Sequence, residues 1–180
     1  MPKQAPKKRF QITVRRAPGQ KSRALVCAGG RVEQAAIGRS GITSRKREGD
    51  GATPLSSMAL LGGYLRADRT TLPPTALPLA RTRSSMLWCD APAHARYNRP
   101  VSKPFTASHE ELMRSDGLYD VCLVMDWNIS ARGRNRGSAI FFHLNRPGYL
   151  PTEGCIAVSL PAMKRLIRFM RAGTRVVVVR

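Results

Sequence analysis

The chain has 180 residues, with 31 Lys and Arg against 11 Asp and Glu, giving a formal net charge of +20. An apolar share of 42% interspersed with 23% charged residues excludes a disordered polyelectrolyte and leaves enough material for a core. No apolar run approaches the roughly 20 residues that span a bilayer, so no transmembrane segment is expected. The charge is uneven. Residues 1–23 hold eight basic side chains and no acid, residues 164–180 hold six and no acid, and the interval between is only mildly basic. Such ends either solubilise the chain or attract a polyanion, whether nucleic acid, anionic lipid or an acidic wall polymer. The first apolar cluster, residues 24–28, is too short and too late for a secretory leader. The chain is therefore expected to be mature, truncated, exported by another route, or cytoplasmic.

In chain order, residues 10–14 alternate apolar and polar with period two and predict a strand. Residues 23–27 and 31–37, joined by Gly29-Gly30, predict a hairpin. Residues 38–54 carry turn chemistry and predict a loop, and residues 58–66 are ambiguous between strand and helix. Six prolines in 70–104 predict a long ordered excursion. Ser108 followed by Glu111 predicts a short capped helix that stops at Gly117. Residues 119–126, 138–143 and 155–159 predict three central strands, because each is apolar on both faces in part. Ser159 then caps a helix with Pro161 in its first turn. Met163, Leu166, Ile167 and Met170 share one face of that helix, and Gly173 ends it. Residues 176–179 predict a final strand.

Cys27, Cys89, Cys122 and Cys155 form no CxxC pair, so neither a structural zinc nor a compact disulfide framework is expected. Cys27 and Cys122 sit in apolar runs and are expected to be buried; Cys89 is core or loop. His94 and His109 are expected at the solvent surface. Glu48 and Asp50 either contact substrate or hold a Gly-rich turn, the turn being preferred, and Trp88 and Tyr97 line a cleft or pack in the core.

Cys155 stands apart. His143 ends one apolar strand, Cys155 begins the next, and the loop between contains Pro147, Gly148, Pro151 and Gly154. Antiparallel pairing of those strands would bring imidazole and thiol to one rim. A thiol needs a base to become a nucleophile at neutral pH, and histidine is the usual one. Gly154 would let the backbone approach an incoming carbonyl, with amides near Cys155 as an oxyanion hole.

The segment Gly137-Ser138-Ala139-Ile140-Phe141-Phe142-His143, followed by Pro151-Thr152-Glu153-Gly154-Cys155-Ile156-Ala157, resembles the active-site region of the L,D-transpeptidase (YkuD-type) catalytic domain. It is most similar to the branch with a Lys-Arg-Glu-Gly-Asp-Gly-Ala-Thr-Pro stretch, here residues 46–54. Trp88-Cys89-Asp90, Tyr97-Asn98 and Asp116-Gly117-Leu118-Tyr119-Asp120 extend the resemblance over residues 40 to 160. The resemblance implies a mainly β fold with a few helices (α+β), a β-sandwich or mixed sheet. It divides the chain into a basic tail at 1–9 and a single catalytic domain at 10–180.

It further implies a cysteine acyl-transferase of peptidoglycan stem peptides in the periplasm or envelope, needing no cofactor and no metal and acting as a monomer. Cys155 would be the nucleophile, His143 the base with the Leu144 carbonyl orienting it, and Gly154 part of the catalytic turn. Three departures mark this chain. Glu153 stands where the family commonly has histidine, the twelve positions from His143 to Cys155 are fewer than usual, and Ala157 replaces a common arginine. Arg146 becomes the candidate for a substrate carboxylate, with Thr152 and Glu153 also expected at the substrate. The competing readings are a non-catalytic polyanion-binding module, without a specific nucleic-acid motif, and a family member that binds wall without turnover. In the enzymatic reading the basic ends hold the protein to an anionic envelope polymer.

Overall fold

The computed structural model describes residues 10–180. The proposed tail at 1–9 lies outside the described residues. In chain order the strands are β1 (Gln11–Arg16), β2 (Arg23–Ala28), β3 (Arg31–Ala36), β4 (Ile42–Thr43), β5 (Thr53–Pro54), β6 (Ser57–Leu65), β7 (Leu79–Arg81), β8 (Met86–Cys89), β9 (Arg99–Ser102), β10 (His109–Glu111), β11 (Val121–Met125), β12 (Phe141–Leu144) and β13 (Ile156–Val158). Helix α1 (Leu160–Ile167) and strand β14 (Arg175–Val179) complete the chain. The architecture is mainly β, as expected.

The main sheet runs β11-β12-β13-β3-β2-β1-β14-β6 and closes on itself, because β6 also pairs with β11. The length of β6 makes this possible. Ser57–Ala59 pair with β14 and Leu60–Leu65 with β11. Closure removes the free edges that an open sheet leaves exposed. β7 adds to β6 in parallel. Residues 58–66, ambiguous by pattern, are therefore strand, since β6 has a neighbour along its whole length.

Alternation along β11, β12 and β13 sorts their side chains onto two faces. Val121, Leu123, Met125, Phe142, Leu144, Ile156 and Val158 join the main core with Ile12, Val14 and Val26. The helix contributes Ala162, Met163, Leu166 and Ile167 to the same core. Ser159 Oγ caps it by accepting from the Ala162 amide at 3.3 Å. The helix ends at Ile167, before Gly173, which instead takes φ +83° in the following turn. The opposite face of β11–β12–β13 is covered by a second, three-stranded sheet, β10-β8-β9. Trp88 of β8 meets Phe141 edge-on at 5.2 Å, and Tyr119 does so from another side at 5.7 Å. Both faces of the central strands are thus buried, which explains their near-continuous apolar sequence.

Four expectations are corrected. Residues 109–111 form β10, not a helix, pairing His109, Glu110 and Glu111 with Cys89, Trp88 and Leu87. A helical run this short is marginal by itself, and pairing with β8 outweighs the cap signal. The Pro-rich excursion 70–104 holds three strands, with Pro78 just before β7 and Pro100 within β9. β12 and β13 pair in parallel, not antiparallel. The eleven residues 145–155 return to the start of β12 with one 3-10 turn, Pro147–Tyr149, close to the dozen a parallel connection usually needs. Cys27 is only half-buried, because it alternates with the inward Val26 and Ala28 on β2.

The cap on α1 is checked by Ser159→Ala. Urea unfolding is expected to show a loss of about 1 kcal/mol, because the Ala162 amide loses its acceptor.

Candidate active site

The register of β12 and β13 sets the site. Phe142 pairs with Ile156 and His143 with Ala157, so Cys155, one residue before β13, lies beside Phe141. Phe141, His143, Cys155 and Ala157 point away from the main core, on the face under the second sheet. Thiol and imidazole are therefore diagonal neighbours, one strand apart and two residues along. Both open on one cavity of about 340 Å³, which also reaches Ala139, Arg146, Thr152 and Glu153.

Each group is held by backbone. The Phe141 amide donates to Cys155 Sγ at 3.3 Å, and the thiol donates to the Ala139 carbonyl at 3.2 Å. His143 Nδ1 lies 2.7 Å from the Leu144 carbonyl. A carbonyl can only accept, so Nδ1 carries the proton and Nε2 is left as a lone-pair acceptor. The ring of Tyr119 stands edge-on to the imidazole at 5.1 Å.

Burial governs the charge states. It pushes the Cys155 thiol up to about 12, against a smaller opposing effect of the Phe141 amide. It drives His143 down to about 4, against the hydrogen bond to Leu144. At neutral pH the pair rests as thiol and neutral imidazole. Burial also raises Glu110 above the usual carboxylate range, opposed by Arg114, and raises the phenol of Tyr119.

The turn before the cysteine is tightly specified. Gly154 has φ +136°, and a Cβ there would meet the Ala52 carbonyl at 2.8 Å. Thr152 Oγ1 accepts from the Gly154 amide at 3.2 Å and donates to the Cys155 carbonyl at 2.6 Å. The turn is stitched to the end of β3: the Thr152 amide donates to the Ile37 carbonyl, and the Arg39 amide to the Thr152 carbonyl. Glu153 is exposed and ion-paired with Arg39. Arg146, half-exposed, lies 4.0 Å from Asp116.

Residues 46–54 form a clasp at the cavity. Lys46, buried, donates to Asp50 at 2.5 Å, and Asp50 also accepts from the amides of Arg47 and Ala52. Burial alone would raise the Asp50 carboxyl, but these donors more than reverse it and hold it below its ordinary value. Glu48 accepts from Tyr97 Oη and, at 2.8 Å, from Ser138 Oγ. Asp50 thus holds the turn, and Glu48 reaches the cavity wall.

The L,D-transpeptidase catalytic domain model, YkuD, matches residues 10–178. The chain belongs to this family. No curated protein and no solved structure matches the chain. The match covers nearly all of the described YkuD domain and assigns it to a family of peptidoglycan enzymes of L,D-transpeptidase type.

The domain brings His143, Cys155, Arg146, Thr152 and Glu153 to one cavity, and Gly154 sits in the turn between Glu153 and Cys155 without lining it. Sequence reasoning missed Glu110 and Arg114, which line the same cavity. The helix expected from Ser108 and stopping at Gly117 hid them; the pairing of β10 with β8 is a long-range contact with no local signal. Trp88 and Tyr97 are both buried. His94 and His109 are half-buried around Phe105, not fully exposed. Among the described residues no His, Cys, Asp and Glu group has metal-site geometry, and no helix is long and apolar enough to cross a membrane. The basic C-terminal stretch is partly neutralised: Arg165 meets Glu33 at 2.7 Å and Arg175 lies 3.9 Å from Asp126.

Burial of neutral His143 couples folding to pH. Above the ordinary value of 6.5 the imidazole is neutral in both states and contributes nothing. Between 6.5 and about 4 the unfolded chain takes a proton that the folded chain refuses, so stability falls as pH falls. Relative to His143→Gln, the parent is expected to lose up to about 3 kcal/mol between pH 7 and pH 4 in urea unfolding. A pH-independent difference would show that the folded imidazole titrates normally.

Proposed function

We propose that the protein is a cysteine L,D-transpeptidase acting on peptidoglycan stem peptides in the cell envelope, as a monomer. The observation that carries this reading is the common face of Cys155 and His143 at the mouth of one cavity. Cys155 Sγ attacks the carbonyl of an L,D-peptide bond while its proton passes to His143 Nε2. A C–S bond forms and the C–N bond breaks. The proton on Nε2 goes to the departing amine, and the terminal D-residue leaves. In the second step an acceptor amine, such as a diaminopimelate side chain, gives a proton to Nε2 and attacks the thioester. A C–N bond forms, the C–S bond breaks and Nε2 returns its proton to the departing sulfur, so the product is a 3→3 cross-link and the thiol is regenerated. Water in place of the amine gives L,D-carboxypeptidase chemistry. This is two-step covalent catalysis with a single base.

Because both partners rest neutral, the thiolate forms only as the carbonyl is attacked. Gly154 lets substrate backbone come close, and the adjacent Cys155 amide is the proposed donor to the developing oxyanion. Arg146 is proposed to take a substrate carboxylate, the role that Ala157 cannot fill. Thr152 keeps the turn in shape for substrate, and Glu153 meets it at the rim. The exposed Arg168 and Arg171, together with the basic N-terminal residues, are proposed to hold the enzyme to an anionic envelope polymer, with no base-specific contact.

A carbapenem-type acylating agent is expected to add one equivalent of mass to the intact protein and none to Cys155→Ala. An adduct surviving in Cys155→Ala, or none on the folded parent, would sink the reading. The acylation rate is expected to be level from about pH 5 to about pH 9, between the two displaced pKa values. An inflection near 6.5 would contradict a buried neutral base. Arg146→Ala is expected to raise KM for a tetrapeptide about tenfold with kcat little changed, in line with one lost charge-assisted hydrogen bond.

A further inference from the structure

The Tyr97-Asn98 pair has no part in the chemistry above, yet Asn98 is only 1% exposed and holds three chain segments together. Its Oδ1 accepts from Trp88 Nε1 at 3.0 Å and from the Ala139 amide at 3.1 Å. Its Nδ2 donates to the Trp127 carbonyl at 3.0 Å. Every polar atom of the side chain is therefore engaged, inside the protein, where a lost partner is costly.

Ala139 is the notable recipient. It sits at φ +50°, a left-handed conformation that costs an alanine free energy in the absence of some restraint. Its carbonyl is also the acceptor of the Cys155 thiol. The Ala139 amide and the Ala139 carbonyl belong to the two peptide planes that meet at its Cα, so anchoring the amide plane and holding the left-handed φ and ψ together set the direction of that carbonyl. Ser138, the preceding residue, is pinned by Glu48, which Tyr97 also holds. The thiol proton is thus aimed at Ala139, and it must turn away from that carbonyl to be given to His143 Nε2. Among the described residues, the hydrogen bonds of Sγ run only to Ala139 and Phe141.

We infer that Asn98 is a positioning residue for Cys155. By capturing the Ala139 amide it keeps Ala139 left-handed and its carbonyl on the thiol, so that Sγ rests at one fixed position beside the imidazole. The inference rests on the nucleophilic role proposed for Cys155. The ionisable groups around the thiol, namely Lys46, Glu110, Tyr119, Cys122 and His143, lie outside this chain of contacts.

The test uses Asn98→Gly, because Asn98 itself has φ +55° and glycine deletes the amide without adding backbone strain. Two readouts are taken: kcat and KM on a tetrapeptide, and the pH midpoint of Cys155 alkylation by iodoacetamide, which needs no turnover. Asn98→Gly is expected to lower kcat about tenfold with KM within about twofold, the loss expected when a left-handed alanine is released. The alkylation midpoint is expected to move to lower pH, since the neutral thiol loses its acceptor. Adding Ala139→Gly, which removes the penalty for the left-handed conformation, is expected to recover at least about threefold in kcat. Asn98→Asp keeps an acceptor for Ala139, and it is expected to retain kcat within about threefold of the parent.

An unchanged alkylation midpoint in folded Asn98→Gly would overturn the inference, as would no recovery in the double variant. Should Asn98→Gly not fold, Asn98→Asp decides: a natively folded Asn98→Asp with a tenfold loss of kcat overturns it. If the parent does not turn over the tetrapeptide but the alkylation midpoints shift and recover as stated, the reaction reading fails and the positioning role stands.

Discussion

The parallel register of β12 with β13 is the constraint on which the rest of the site depends. An antiparallel pair would have set the end of one strand directly against the start of the next. The parallel pair instead sends residues 145–155 out and back, placing Cys155 at the beginning of β13 beside Phe141 and His143 opposite Ala157. Strand alternation then puts the thiol and imidazole on one face, the thiol level with Phe141 and the imidazole two residues further along β12. The diagonal is too long for backbone proximity alone, so the reach is made by side chains. That gives their orientation its weight, and it explains why each carries a backbone partner: Leu144 for the imidazole, Ala139 and Phe141 for the thiol.

The second sheet supplies the other half of the physics. Strands β8, β9 and β10 roof the outer face of β11–β13, and the aromatic stack of Trp88, Phe141 and Tyr119 excludes water there. In that medium an unpaired charge is expensive, so the thiol is pushed up and the imidazole down. A solvated cysteine–histidine pair can rest as thiolate and imidazolium. This one rests neutral, and in the proposed reaction separation of charge is deferred to the moment of attack. The donors that stabilise charge must therefore already be in place, which suits the Phe141 amide held against Sγ.

The legibility of the fold follows the range of its interactions. The hairpin at Gly29-Gly30, the cap at Ser159 and the alternation of residues 10–14 were readable because local chemistry decides them. The three central strands were readable because burial on both faces leaves an apolar run. The direction of β13 against β12 was not readable, since the eleven-residue connection admits either hand of pairing and the choice is made by stitching of Thr152 to Ile37 and Arg39. The strand at 109–111 was obscured for a similar reason: Ser108 and Glu111 carry a helix-start pattern, and only pairing with β8 cancels it. The cysteine and histidine stood out through residue type and resemblance. Glu110 and Arg114 did not, because nothing near them in sequence marks a cavity.

The motifs scattered between residues 46 and 155 make physical sense as one unit. Lys46 and Asp50 lock a turn whose Ala52 carbonyl comes so close to Gly154 that no side chain fits between them. Glu48 leaves that turn to hold Ser138 and Tyr97, and Asn98 next to Tyr97 holds Ala139. The turn at residues 46–54 thereby presses on the residue before the cysteine, while Asn98 fixes the residue whose carbonyl accepts the hydrogen bond of the thiol. A small displacement of the clasp would be transmitted to Cys155 from two sides, through the Gly154 backbone and through the Ala139 carbonyl. Of the positive-φ residues in this unit, Gly154 and the left-handed Ala139 lie within one hydrogen bond or one peptide of the thiol. Backbone strain here is concentrated where orientation matters most, and it is held there by buried side chains whose own hydrogen bonds leave them little freedom to move.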